Sequence, residues 1–134
     1  MTERPSTRAW YSRRDTPFVL FVLWAATTFT LTHWPALEVP VIVTRTDLVA
    51  HVSVFGLWTI LCGVAAFFGP RWSRANIGTT AAVTLTYAAI DEGLQAIPFL
   101  HRTAALDDFG GDALGVLAGT IFLAAFAWHT RRGE

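Results

Sequence analysis

The chain contains no lysine, one cysteine and few charges of either sign, and the formal charges cancel. Without a second cysteine there is no internal disulfide, and Cys62, in the middle of an apolar run, reads as a small buried hydrophobe. There is no HExxH, no Cys/His zinc set, no GxSxG elbow and no phosphate-binding loop, so the chemistries that depend on them lack their signatures. The serines (Ser6, Ser12, Ser53, Ser73) lie away from the acidic residues, Ser53 excepted, which follows His51 by two positions. No nucleic-acid partner is expected, and no residue is assigned as a metal ligand. What the chain does have is apolar sequence: 53% of its 134 residues are hydrophobic, gathered into runs long enough to cross a bilayer, for which about 20 residues suffice. A soluble domain of this size would not carry several such runs. The predicted class is an all-α membrane protein, a bundle of four transmembrane helices in one domain.

Residues 1–16 form a polar tail with Arg4, Arg8, Arg13 and Arg14, in which Trp10 and Tyr11 suit a headgroup region. The transmembrane domain is expected over 17–129, with helices at about 17–34, 47–69, 75–97 and 108–129, and a short tail over 130–134. Pro17 stands where the first helix would begin, a position that tolerates a missing N–H. The basic tail before that run resembles the start of a signal peptide, but no small-x-small cleavage pattern follows, so the run is read as an uncleaved first helix. Pro35, Pro40 and a VPVIV segment occupy the following loop, GPRWSR forms a basic turn with Trp72 as an interfacial anchor, and Pro98 ends or bends the third helix.

Four spans put both termini on one side. Eight of the ten arginines fall there, in the N-terminal tail, the 70–74 turn and the C-terminal tail, against Arg45 and Arg102 opposite. By the positive-inside rule both termini are expected to be cytoplasmic. Seven of the ten acids, Glu38, Asp47, Asp91, Glu92, Asp107, Asp108 and Asp112, then lie on or near the outer face.

Polar residues recur at helical spacing near those outer ends. Asp47 and His51 are four apart, as are Asp91 and Gln95 with Glu92 beside them, and Asp108 and Asp112; each pair shares a helix face. The sixteen residues from Ala75 to Ile90 cover roughly 24 Å of a hydrocarbon core about 30 Å thick, which leaves Asp91 and Glu92 just inside the membrane boundary. Carboxylates there normally face a bundle interior and serve function. Simpler roles compete: Asp47 and Asp108 can cap helices, His51 can be an interhelical hydrogen bonder, and Arg102 can neutralise the acids. Gly111, Gly115 and Gly119 form a GxxxGxxxG stripe that admits a close backbone, from within the chain or from a second copy as a homo-oligomer.

These motifs resemble those of the VanZ-like family of small bacterial membrane proteins. That family's DK-x-x-H motif with a following aromatic is matched by Asp47, His51 and Phe55. Its DE-x-x-Q motif, with an Arg and a later Asp, is matched by Asp91, Glu92, Gln95, Arg102 and Asp108. Its Asn-x-x-Gly-x-x-x-Gly motif is matched by Asp112, Gly115 and Gly119. Leu48 stands in place of the usual Lys, Phe55 in place of Tyr and Asp112 in place of Asn, so the site is more acidic than the family pattern, which leans towards a bound divalent cation without implying a defined ligand set. The resemblance implies a polar pocket built from Asp47, His51, Asp91, Glu92, Gln95, Arg102, Asp108 and Asp112. The family's name member is associated with low-level resistance to the glycopeptide antibiotic teicoplanin, so an envelope component or glycopeptide is the expected ligand, with no catalytic step required. Two alternatives stay open: an intramembrane enzyme on lipid or cell-wall precursor headgroups, with Glu92, Asp91 and His51 as candidate acid/base groups and Arg102 as anion clamp, and a small ion-coupled transporter using the acids as a relay.

Overall fold

A computed structural model describes residues 8–34, 45–97 and 106–133, with side chains from residue 16 onward. These residues form four helices: α1 (Arg8–His33), α2 (Thr46–Ala65), α3 (Arg74–Gln95) and α4 (Leu106–Arg132). The helix α1 starts before the apolar run does, and Pro17 lies inside it rather than at its first turn. Hydrophobicity marks where a helix is apolar, not where its backbone begins. The helix α2 stops short of Phe67 because Ala66 turns left-handed (φ 59) and returns its N–H to Gly63 O at 3.2 Å. Ser73 then caps α3, its hydroxyl accepting from Asn76 N at 3.1 Å. Arg45, also left-handed (φ 63), precedes α2 without a side-chain cap.

The bundle is apolar outside and holds many polar side chains within, beside two apolar clusters around Phe55 and Leu123. Leu23, Ile90, Leu114, Leu117, Ile121 and Phe122 are exposed, whereas Thr28, Thr59, Asn76, Thr80, Thr84, Asp91, Gln95 and Asp112 are buried. Water penalises that distribution and a bilayer favours it. Three helices, α1 from Thr16, α2 and α4, are long and apolar enough to cross a membrane, and the chain is read as a membrane protein on both grounds. The buried cysteine is a free thiol, packed as expected.

The helices α2 and α4 run parallel and make the closest contact. A Cβ built on Gly115 would lie 2.5 Å from Val52 O and 2.9 Å from Gly56 N; one on Gly119 would lie 2.7 Å from Gly56 O. No side chain fits between the two backbones there. The glycine stripe is thus filled by α2 of the same chain. The helices α1 and α3 run antiparallel to this pair: Trp24 Nε1 donates to Val54 O at 3.2 Å, Phe21 and Phe67 meet edge-on at 5.1 Å, and Asn76 Nδ2 donates to Gly63 O at 2.9 Å. The carboxyl ends of α1 and α3 and the amino ends of α2 and α4 therefore lie at one end of the bundle.

Candidate functional site

That end holds two linked polar groups. The first is centred on Asp91, 1% exposed. Tyr87 and Gln95 stand one turn to either side of it on α3, so the three side chains share a face. The Tyr87 hydroxyl donates to Asp91 Oδ1 at 3.2 Å and Gln95 Nε2 donates to Oδ2 at 3.2 Å. The helix α1 adds Thr32, whose hydroxyl donates to Oδ1 at 3.0 Å, and His33, whose Nδ1 is 3.7 Å from the same oxygen. A buried carboxylate costs several kcal/mol, on the order of the desolvation of one ion, unless donors surround it. Here three neutral donors do, and two helices are tied together by the result. The His33 ring stacks on Phe29 with centroids 4.2 Å apart, and its Nδ1 lies 3.0 Å from Phe29 O.

The other group is centred on His51. Its Nδ1 lies 2.7 Å from Asp112 Oδ1, and its Nε2 lies 3.9 Å from Asp108 Oδ1. With a carboxylate at Asp112, Nδ1 carries the proton and donates it into a short charge-assisted bond. The glycines make this contact possible: a Cβ on Gly111 would sit 3.0 Å from His51 Cβ, so any larger residue pushes the imidazole away from α4. Asp112 is 1% exposed, whereas Asp108, one turn nearer the end, is partly open. Glu92, 8% exposed, interacts electrostatically with His51, and Asp91 does so with Asp112. The two groups are therefore one cluster, contributed by all four helices.

Six of the eight residues expected in the pocket come together: His51, Asp91, Glu92, Gln95, Asp108 and Asp112. Asp47 is in the first turn of α2 but exposed. Arg102 lies outside the described residues, as do Glu38, Pro40 and Pro98. Thr32, His33 and Tyr87 belong to the cluster without having been expected there. Tyr87 was legible as the residue one turn before Asp91; Thr32 and His33 carried no comparable signal. Among the described residues no group of three or more His, Cys, Asp and Glu side chains is arranged to hold a metal ion. The arrangement instead offers a carboxylate–imidazole–carboxylate series open at Asp108, suited to a cationic or hydroxyl-bearing group or to moving a proton.

Beside the cluster, on the outer side of α3, Ala82, Val83, Thr86, Tyr87 and Ile90 line a mostly apolar groove of about 340 Å³. Tyr87 belongs to both: it lines the groove, its ring stacks on Trp58 at 4.9 Å, and its hydroxyl donates to Asp91. No family model, curated protein or solved structure matches this chain.

Proposed function

We propose that this is a VanZ-like protein of the bacterial cytoplasmic membrane, crossing it four times with both termini inside. In this reading the polar cluster faces the outer leaflet and binds an envelope component or glycopeptide antibiotic without turning it over. The observation that carries it is convergence: residues of all three resembling motifs, on α2, α3 and α4, contribute to one cluster. The helix α3 has 22 residues, about 33 Å of helix, and its polar face is turned inward, which supports a fourth span among more apolar neighbours. The apolar groove that meets the cluster at Tyr87 supports an amphiphilic ligand, its tail in the groove and its polar part towards the cluster.

The test is glycopeptide susceptibility in a Gram-positive host making the wild type, Glu92→Gln or Asp108→Asn, with membrane levels matched. Protection by the wild type that both variants lose supports the reading. A well-expressed wild type that gives none removes the antibiotic from it.

The 2.7 Å contact of His51 with Asp112 favours one other reading, an intramembrane enzyme acting on lipid or cell-wall precursor headgroups. A histidine oriented by a buried carboxylate is a general acid/base arrangement, with Glu92 as the neighbouring candidate base. Lipid and precursor profiles that stay the same on expression of the wild type, His51→Ala and Glu92→Gln would eliminate it.

A further inference from the structure

The opposite end of the bundle carries a separate feature. Between α3 and α4 runs a groove of about 370 Å³ lined by Arg74, Ile77, Gly78, Ala124, Trp128 and Arg131. Its two charged residues stand at the terminal turns of their helices, and its apolar residues lie towards the bundle's middle. The Arg131 guanidinium is held in place: Nε donates to Ala127 O at 3.1 Å and Nη2 to Trp72 O at 3.3 Å. Arg132 stacks over the Trp128 ring, 3.6 Å from its centroid, which adds a third positive charge at the rim. Neither Arg74 nor Arg131 forms an ion pair among the described residues. A Cβ on Gly78 would meet nothing within 4 Å, so the glycine opens the groove rather than serving a helix contact.

A cationic rim over an apolar floor, at the end of helices whose outer faces are apolar, matches one kind of molecule in charge and in shape. We propose that this groove is a binding site for an anionic phospholipid, its phosphate between Arg74 and Arg131 and an acyl chain along Ile77, Gly78 and Ala124 against the Trp128 ring. Basic grooves between transmembrane helices hold anionic headgroups by this combination. Planar guanidinium groups suit the purpose because they donate two parallel hydrogen bonds to a phosphate. The site is remote from the His51 and Asp91 cluster and stands whether or not that cluster binds a ligand.

The test is native mass spectrometry of the delipidated full-length protein with phosphatidylglycerol or phosphatidylcholine of equal chain length, together with thermal unfolding in each. The wild type is expected to retain phosphatidylglycerol selectively and to unfold at a higher temperature with it. Retention should fall about fivefold for each arginine removed, the factor for one basic side chain at a membrane surface. Arg131→Gln also loses the tie to Trp72, so Arg74→Gln and Gly78→Leu are the clean variants. The former removes charge alone; the latter fills the groove and leaves both arginines. Selective retention lost in both establishes the site. Equal retention of the two lipids by the wild type, or selective retention unchanged in both variants, overturns it. Equal stabilisation by inorganic phosphate would also overturn it, since the acyl chain would then contribute nothing.

Discussion

At Asp91 the hydrogen bonding is one-sided: Thr32, Tyr87 and Gln95 all donate to it. An asparagine there would turn one acceptor into a donor, so that Gln95 or a hydroxyl would have to reverse its role at a position only 1% exposed. Asp91→Asn is therefore expected to destabilise the protein by about 1–3 kcal/mol, and Tyr87→Phe, which removes one donor and leaves the others, by about 0.5–1.5 kcal/mol. Unfolding of the two purified variants in the same detergent checks this, and a larger loss for Tyr87→Phe than for Asp91→Asn would show that Asp91 does not organise the cluster. His51 and Asp112 touch directly, so His51→Ala and Asp112→Ala should be non-additive, with a coupling of roughly 1–3 kcal/mol in a double-mutant cycle on stability. Additive losses would mean that the contact contributes nothing. Much of this was legible in the sequence. Asp91 with Gln95, and Asp108 with Asp112, sit at intervals that only a helix turns into a shared face, and acids in apolar helices face inward. Thr32 and His33 were not, because a threonine and a histidine at the end of an apolar run have no periodicity to mark them, and their partner is 59 residues away for Thr32. Asp47 shows the reverse: its spacing from His51 is right, but a residue in the first turn of a helix is still free to face outward, and this one is exposed.

At the scale of elements, the contact of α2 with α4 decides where His51 can go. The glycines of α4 divide by environment: a Cβ on Gly110 meets nothing within 4 Å, one on Gly111 meets His51 and Leu48 at 3.0 Å, and one on Gly115 meets the α2 backbone at 2.5 Å. Gly110→Ala is expected to be neutral or to stabilise by up to about 1 kcal/mol, the helix-propensity difference. Gly115→Ala meets backbone that cannot rotate away, and should cost about 1–3 kcal/mol while loosening the His51–Asp112 contact. Gly111→Ala should fall between them. Unfolding midpoints for the series check the order, and a harmless Gly115→Ala would mean that α2 and α4 do not pack through this stripe. The GxxxGxxxG spacing announced a close helix contact but left the partner open, since another copy of the chain would satisfy it as well as α2 does. The start of α3 is set by a local device, the Ser73 cap, that was not singled out in the sequence. The end of α2 was not legible either, because nothing in Ala66 announces a left-handed residue.

For the whole molecule, the separation of polar interior from apolar exterior leaves two polar ends, one acidic and one basic. The acidic end gathers His51, Asp91, Glu92, Asp108 and Asp112; the basic end presents Arg74, Arg131 and Arg132. In a membrane with an anionic cytoplasmic surface, the function proposed above requires the basic end to lie inside. Single cysteines read it out. In a Cys62→Ala background, Asp107→Cys stands at the start of α4, Gly133→Cys just past its end, and Pro70→Cys in the turn between α2 and α3, all at exposed positions. In intact cells a membrane-impermeant maleimide should label Asp107→Cys alone; Pro70→Cys and Gly133→Cys should react only after permeabilisation. Labelling of Asp107→Cys and Gly133→Cys from the same side would mean that α4 does not cross. The reverse pattern, with Pro70→Cys and Gly133→Cys open from outside, would turn the acidic cluster towards the cytoplasm, where an antibiotic arriving from outside does not meet it. That outcome would move the ligand search from envelope components to cytoplasmic ones, with the internal packing of the bundle unchanged.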